Sequence, residues 1–129
     1  MLALNQALTA EQRLEKAVMS VMAHDKYVGL SSVLMVGDRT VSDTVPTACT
    51  NGRDEMYGRA FVDGLTDPEL RFLVLHECYH KMYKHLTTWE HLYKKHPTLA
   101  NVACDYVINI QLSDSDEGMG LIKMPKVST

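Results

Sequence analysis

The sequence lacks any apolar run approaching the ~20 residues of a membrane-spanning helix. It also lacks the basic segment, apolar segment and small-residue cleavage site of a secretory signal at its amino terminus. A soluble, cytoplasmic protein is therefore expected. Basic charge is not in excess: 13 Lys and Arg against 16 Asp and Glu give a net charge of -3. That balance disfavours a nucleic-acid partner, whose affinity would come mainly from neutralising phosphates. Cysteine is scarce, and Cys49, Cys78 and Cys104 are odd in number and widely spaced, which fits reduced thiols rather than a disulfide framework. No CxxC pair is present, so a zinc knuckle is excluded. With 46% hydrophobic and 22% charged residues and no internal repeat or linker, disordered, collagen-like and low-complexity classes are excluded as well.

What remains is a chain of 129 residues, room for one domain that can bury a core without cross-links. Residues 1–112 are expected to form that domain and 113–129 a polar tail. Thr9 and Gln12 form a capping box, after which Leu14, Ala17, Val18, Val21 and Met22 recur at helical spacing. Two short β-prone runs, Ser32 to Val36 and Val45 to Thr50, lead to the tight-turn pair Asn51-Gly52 and on to Glu55 to Gly58, which predicts a small antiparallel sheet. Thr66 and Glu69 form a second capping box, with Asp67 and Pro68 in the first turn. The helix they open is apolar nearly all round, through Leu70, Phe72, Leu73, Val74, Leu75, Cys78, Tyr79, Met82 and Leu86, and so belongs in the core. Thr87 and Glu90 offer a short helix ending near Pro97, and Leu99, Val102, Ala103, Tyr106, Val107 and Ile110 mark a last one of about three to four turns.

Histidine is the residue in surplus, and five of the six, His76, His80, His85, His91 and His96, fall in one stretch. His76-Glu77-Cys78-Tyr79-His80 is an HExxH motif in the middle of the best-specified helix. Residues i and i+4 lie about 40° apart on a helix, so both imidazoles can reach one ion at ~2.0 Å. Glu77 then projects beside that ion, where it can take a proton from metal-activated water and pass it to a leaving amine. Two histidines and a glutamate on an apolar, buried helix are costly without a partner or a metal.

A catalytic zinc takes three protein ligands and keeps one open position. His85 is near in sequence, but nothing breaks the helix after His80 and nine residues from His76 is about 180° round it, so His85 is expected to point away. Asp105 on the last helix is the better third ligand, folding back over the motif helix, where a carboxylate in apolar surroundings needs a cation. His85 remains the alternative. Asn101 and Asn109, one turn either side of Asp105, are candidates to orient the ligands. Tyr83 and Tyr106 read as core tyrosines, and His91 and His96 as a solvated face with Lys94 and Lys95.

Thr47-Ala48-Cys49-Thr50-Asn51-Gly52, Phe61-Val62, Leu65, Glu69-Leu70, the HExxH motif, His85 and the run from Asn101 to Asn109 together resemble a known family. It is the putative metallopeptidase domain that often precedes a von Willebrand factor A-like domain, in the zincin-like group. The resemblance covers about residues 10 to 112. It implies an α+β, zincin-like fold, with a small sheet packed on the central HExxH helix, flanking helices and an edge strand bordering the cleft. It also implies a Zn2+ cofactor held by His76, His80 and Asp105, with Glu77 as the catalytic carboxylate. The expected function is that of a zinc metallopeptidase acting on a peptide or protein substrate, which the strand at Glu55 to Gly58 would bind as an exposed edge. The alternative is a zincin-like scaffold serving as a protein-binding module with a structural or vestigial zinc site, closed by a fourth ligand such as His85 or Cys104.

Overall fold

The computed structural model describes residues 8–85, 94–116 and 119–125. Helix α1 (Ala10–Ala23) begins where Thr9 caps it: Gln12 N donates to Thr9 Oγ1 at 3.1 Å and Thr9 N to Gln12 Oε1 at 2.9 Å. Its buried face is Ala10, Leu14, Ala17, Val18 and Val21, as the helical spacing predicts. A 3-10 turn (Val28–Leu30) and a single-turn helix α2 (Ser31–Leu34) follow, then β1 (Arg39–Ser42), β2 (Ala48–Thr50), β3 (Glu55–Gly58), α3 (Arg59–Asp63), α4 (Asp67–His85) and α5 (Pro97–Asp116). The architecture is α+β, and no helix among the described residues is long and apolar enough to cross a membrane.

Three local expectations need correction. The run from Ser32 is helical rather than extended, because turning it into a helix buries Leu34 completely and packs Leu30 and Val33 against the core. A short apolar run carries no periodicity that separates the two outcomes. The sheet is mixed rather than antiparallel, with order β1-β3-β2. The hairpin expected at Asn51-Gly52 does form: β2 pairs antiparallel with β3, and the Asn51 side chain accepts from the backbone of Arg53 and Asp54 at 2.8 Å each. The unforeseen strand is β1, which pairs parallel with β3 from Arg39↔Glu55 to Ser42↔Gly58. The strand at Glu55 to Gly58 is therefore central, its backbone groups already paired on both sides, and it cannot accept a peptide by strand addition. Gly37 leads into β1 with φ 74°, and a Cβ there would lie 1.9 Å from the Arg53 carbonyl oxygen, so only glycine lets the strand reach the hairpin turn.

Helix α4 starts at the expected capping box, with Thr66 N donating to Glu69 Oε1 at 2.9 Å. Leu70, Phe72, Leu73, Val74, Leu75 and Cys78 on α4 are buried with Tyr57, Val62, Ile108 and Leu112 to form the core. Arg13 ties α1 to the approach of α4, donating to the carbonyls of Val62 at 2.8 Å and Leu65 at 2.6 Å and to Asp67 at 3.1 Å. Beneath α4 lies a buried polar knot. Glu55 of β3 is 1% exposed and Lys81 of α4 3%. Lys81 Nζ meets Glu55 Oε2 at 2.5 Å, Arg39 meets both Glu55 oxygens at 3.1 Å, and the Tyr57 hydroxyl donates to Glu55 Oε1 at 2.5 Å.

The last helix is longer than predicted, running 20 residues through Ser113 to Asp116. Its buried side carries Ile108, Leu112 and Asp116, whereas Leu99, Val102, Tyr106 and Ile110, expected to face the core, are exposed. Asp116 fixes the backbone beyond it, accepting from the amides of Gly120, Leu121 and Ile122 at 2.9 to 3.3 Å. Ile122 is buried, and Arg71 Nε donates to the Leu121 carbonyl at 2.5 Å. The short helix expected from Thr87 lies largely outside the described residues, as does His91.

Candidate metal centre

The helical spacing of HExxH puts His76 and His80 on one side of α4, with ring centroids 4.7 Å apart and Nε2 atoms 3.1 Å apart. Phe72, one turn earlier, lies along the His76 ring with centroids 6.4 Å apart. Helix α5 packs across this face and brings Asp105 to both imidazoles. Asp105 Oδ1 lies 3.0 Å from His76 Nε2 and 2.6 Å from His80 Nε2. The imidazoles are largely buried, 15% and 6% exposed, while Asp105 is 43% exposed, so the cluster reaches solvent on the α5 side.

The donor set fits one divalent cation. Among the described residues, His76, His80 and Asp105 form the group of three whose ligand atoms all lie within 4.8 Å of one another. Atoms bound at ~2.0 Å to a tetrahedral ion are about 3.3 Å apart, so the trio needs to open by less than about 1 Å, most of it between His80 and Asp105. Two imidazole nitrogens and a carboxylate oxygen meeting at one point also require positive charge between them. Without an ion, the same crowding favours a proton on His76. Burial by itself would lower the His76 pKa, but the hydrogen bond to Asp105 and the charges of Glu77 and Asp105 raise it above the ordinary value. Burial likewise opposes ionisation of Asp105, and the hydrogen bonds from His76 and His80 overcome it, holding the carboxyl well below the usual carboxylate range.

Glu77 is 5% exposed, and its environment is burial plus through-space charge. Burial raises its pKa, His76 and His80 pull it down, Glu55 and Asp105 push it up, and the balance lies above an ordinary glutamate. A carboxylate shifted in that direction is a better proton acceptor near neutral pH.

Of the residues singled out from sequence, the structure thus brings together His76, His80 and Asp105, with Glu77 buried on the same helix. His85 ends α4, but its side chain lies outside the described residues, as do those of Tyr83, Asn101 and Cys104. Tyr106 is 70% exposed rather than in the core, and His96 is exposed. Asn109 is the second-helix partner that contacts the motif: its Oδ1 lies 2.9 Å from His76 Nδ1. Sequence reading missed the Glu55–Lys81 pair behind the motif. The available signal was a lysine directly after the second histidine on a helix otherwise apolar enough to be buried, together with a glutamate opening a short strand.

A family model described as a putative metallopeptidase domain matches residues 9–127. No curated protein and no solved structure matches the chain.

Proposed function

Because the chain belongs to this putative metallopeptidase domain family, we propose that it is a zinc-dependent metallohydrolase that cleaves peptide bonds, with Glu77 as general base. The observation that carries this reading is the convergence of His76 Nε2, His80 Nε2 and Asp105 Oδ1 from two helices, with Glu77 in the same motif. His76, His80 and Asp105 would hold the ion, which when bound supplies Lewis acidity toward the scissile carbonyl and lowers the pKa of water toward ~7. A zinc held by these three residues would keep a position for water or substrate.

The residues of the chain divide the remaining work. With the ion bound, one carboxylate and two neutral imidazoles would leave a net charge of +1 at the site. Glu77 takes a proton from the attacking water at its carboxylate and delivers it to the departing amine, a role suited to its buried position and upward-shifted pKa. The Lys81–Glu55 pair anchors the same turn of α4 to the sheet, which limits the freedom of Glu77 and His80 just before it.

Metal content per chain, measured by mass spectrometry on protein purified without added metal, tests the ligand set. One zinc per wild-type chain, lost in His76→Ala and in Asp105→Ala, is the expected result. Glu77→Gln should keep the zinc and lose at least ~100-fold in hydrolysis of an unfolded protein substrate. No zinc in folded wild type after zinc is offered would overturn the enzyme reading. Zinc retained with no hydrolysis of any peptide would favour the protein-binding scaffold.

A further inference from the structure

Both ring nitrogens of His76 are engaged, and only one faces the metal cluster. Nε2 points to Asp105 Oδ1 at 3.0 Å and to His80 Nε2 at 3.1 Å, while Nδ1 lies 2.9 Å from Asn109 Oδ1. Asp105 and Asn109 are one turn apart on α5, as His76 and His80 are on α4, so two i,i+4 pairs face each other across the helix contact. The register that brings Asp105 to the histidines therefore brings Asn109 to the far side of the His76 ring.

We infer that Asn109 is a positioning residue for this centre: by accepting the Nδ1–H of His76 at its amide oxygen, it selects the tautomer that presents the Nε2 lone pair to the ion. The inference rests on the metal reading proposed above. A neutral imidazole carries one N–H, so a proton committed to Asn109 leaves Nε2 bare. A bare Nε2 beside the Asp105 carboxylate is repulsive on its own and favourable once a cation lies between them. Metal-bound histidines generally donate their second nitrogen to such an acceptor, which fixes the ring and strengthens the ligand.

The choice of an amide over a carboxylate also follows from the surroundings. Asp105 and Glu77 already place two carboxylates at the site, and a third at position 109 would add repulsion in the metal-free protein. An amide rotated by 180° offers Nδ2–H to Nδ1 instead, sending the ring proton to Nε2, where it can donate to Asp105. Asn109 thus suits the site both before and after the ion arrives, whereas aspartate suits it only afterwards. Substituting aspartate should accordingly favour the loaded state, and substituting leucine should remove the orientation altogether.

The test is the zinc affinity of wild type, Asn109→Leu and Asn109→Asp, measured by competition with a chromophoric chelator. Nitrogen-15 spectra of the His76 ring in zinc-loaded wild type report the tautomer directly. Expected are a 10- to 100-fold weaker affinity for Asn109→Leu, in line with the loss of such partners elsewhere. Asn109→Asp should equal or exceed wild type, and Nδ1 should carry the proton in the loaded protein. A filler of space would not predict recovery by aspartate. Equal affinity for Asn109→Leu and wild type, or equally weak binding by the leucine and aspartate variants, would overturn the inference. So would a proton on Nε2 in the loaded wild type, a result independent of whether either variant folds. A wild type that binds no zinc overturns the metal reading and this inference together. A wild type that binds zinc with no dependence on position 109 overturns this inference alone.

Discussion

Asp67 shows how one side chain can serve two purposes. It occupies the first turn of α4, where a carboxylate favours the helix dipole, and it accepts from Arg13 at 3.1 Å. The hydrogen bond from Arg13 lowers its pKa below the ordinary 3.8, with Lys16 adding to the effect. A depressed carboxyl contributes stability above its unfolded value and loses it as pH falls through the folded value. Asp67→Asn should therefore be less stable than wild type at pH 7, by well under 1 kcal/mol because the pair is solvent-screened. The difference between the two proteins should narrow between pH 7 and acid pH, as the pH falls through the folded-state value of the wild-type carboxyl. Urea midpoints at the two pH values measure it, and an undiminished difference at low pH would show that the dipole and Arg13 are not its source. At the same scale, the HExxH spacing and both capping boxes were legible in the sequence, since each depends on residues three or four apart. Asn101 and Asn109 were equal candidates to orient the ligands, because both lie one turn from Asp105 and the choice depends on where α5 crosses α4.

Among the elements, α5 separates two readings of one sequence. Its apolar residues cover more than half its circumference, so hydrophobic spacing alone offers two candidate inner faces. The structure buries Ile108 and Leu112 and exposes Leu99, Val102, Tyr106 and Ile110. Only this rotation lets Asp105 and Asn109 reach the motif, so the polar contacts and the packing agree. Ile108→Ala and Leu112→Ala should each cost roughly 2 to 5 kcal/mol of stability. Tyr106→Ser and Ile110→Ser should each stay within about 0.5 kcal/mol of wild type. Chemical denaturation of the four variants checks the assignment, and the opposite ranking would place the other face inward. The sheet makes the same point for strands: the Asn51-Gly52 turn declared a hairpin, but β1 pairs with β3 although β2 lies between them in sequence, and no local pattern encodes a parallel pairing at that distance.

For the molecule as a whole, the Glu55–Lys81–Arg39–Tyr57 knot couples the sheet to the motif helix. Both members of the Glu55–Lys81 pair are withdrawn from water, so removing one leaves the other's charge uncompensated. Lys81→Met should cost about 3 kcal/mol, the lower part of the range for a broken buried pair, since Arg39 still faces Glu55. Adding Glu55→Gln to that variant should recover part of the loss, a non-additivity that equilibrium unfolding of the single and double variants measures. A loss below about 1 kcal/mol, or strict additivity, would mean that the pair is hydrated in solution.

The sequence by itself determined what lies within one or two helical turns: the start of α1 and α4, the β2–β3 turn, and two imidazoles and a carboxylate in one motif. It also named Asp105, by the cost of an isolated carboxylate in apolar surroundings. Tertiary structure alone decided that Asp105 meets both imidazoles, that Asn109 completes His76, that β3 is a central strand, and that Lys81 is buried against Glu55. The division follows the range of the interactions. Caps and i,i+4 pairs are fixed by backbone geometry over a few residues. Contacts between residues 16 or more apart depend on how helices and strands share one core.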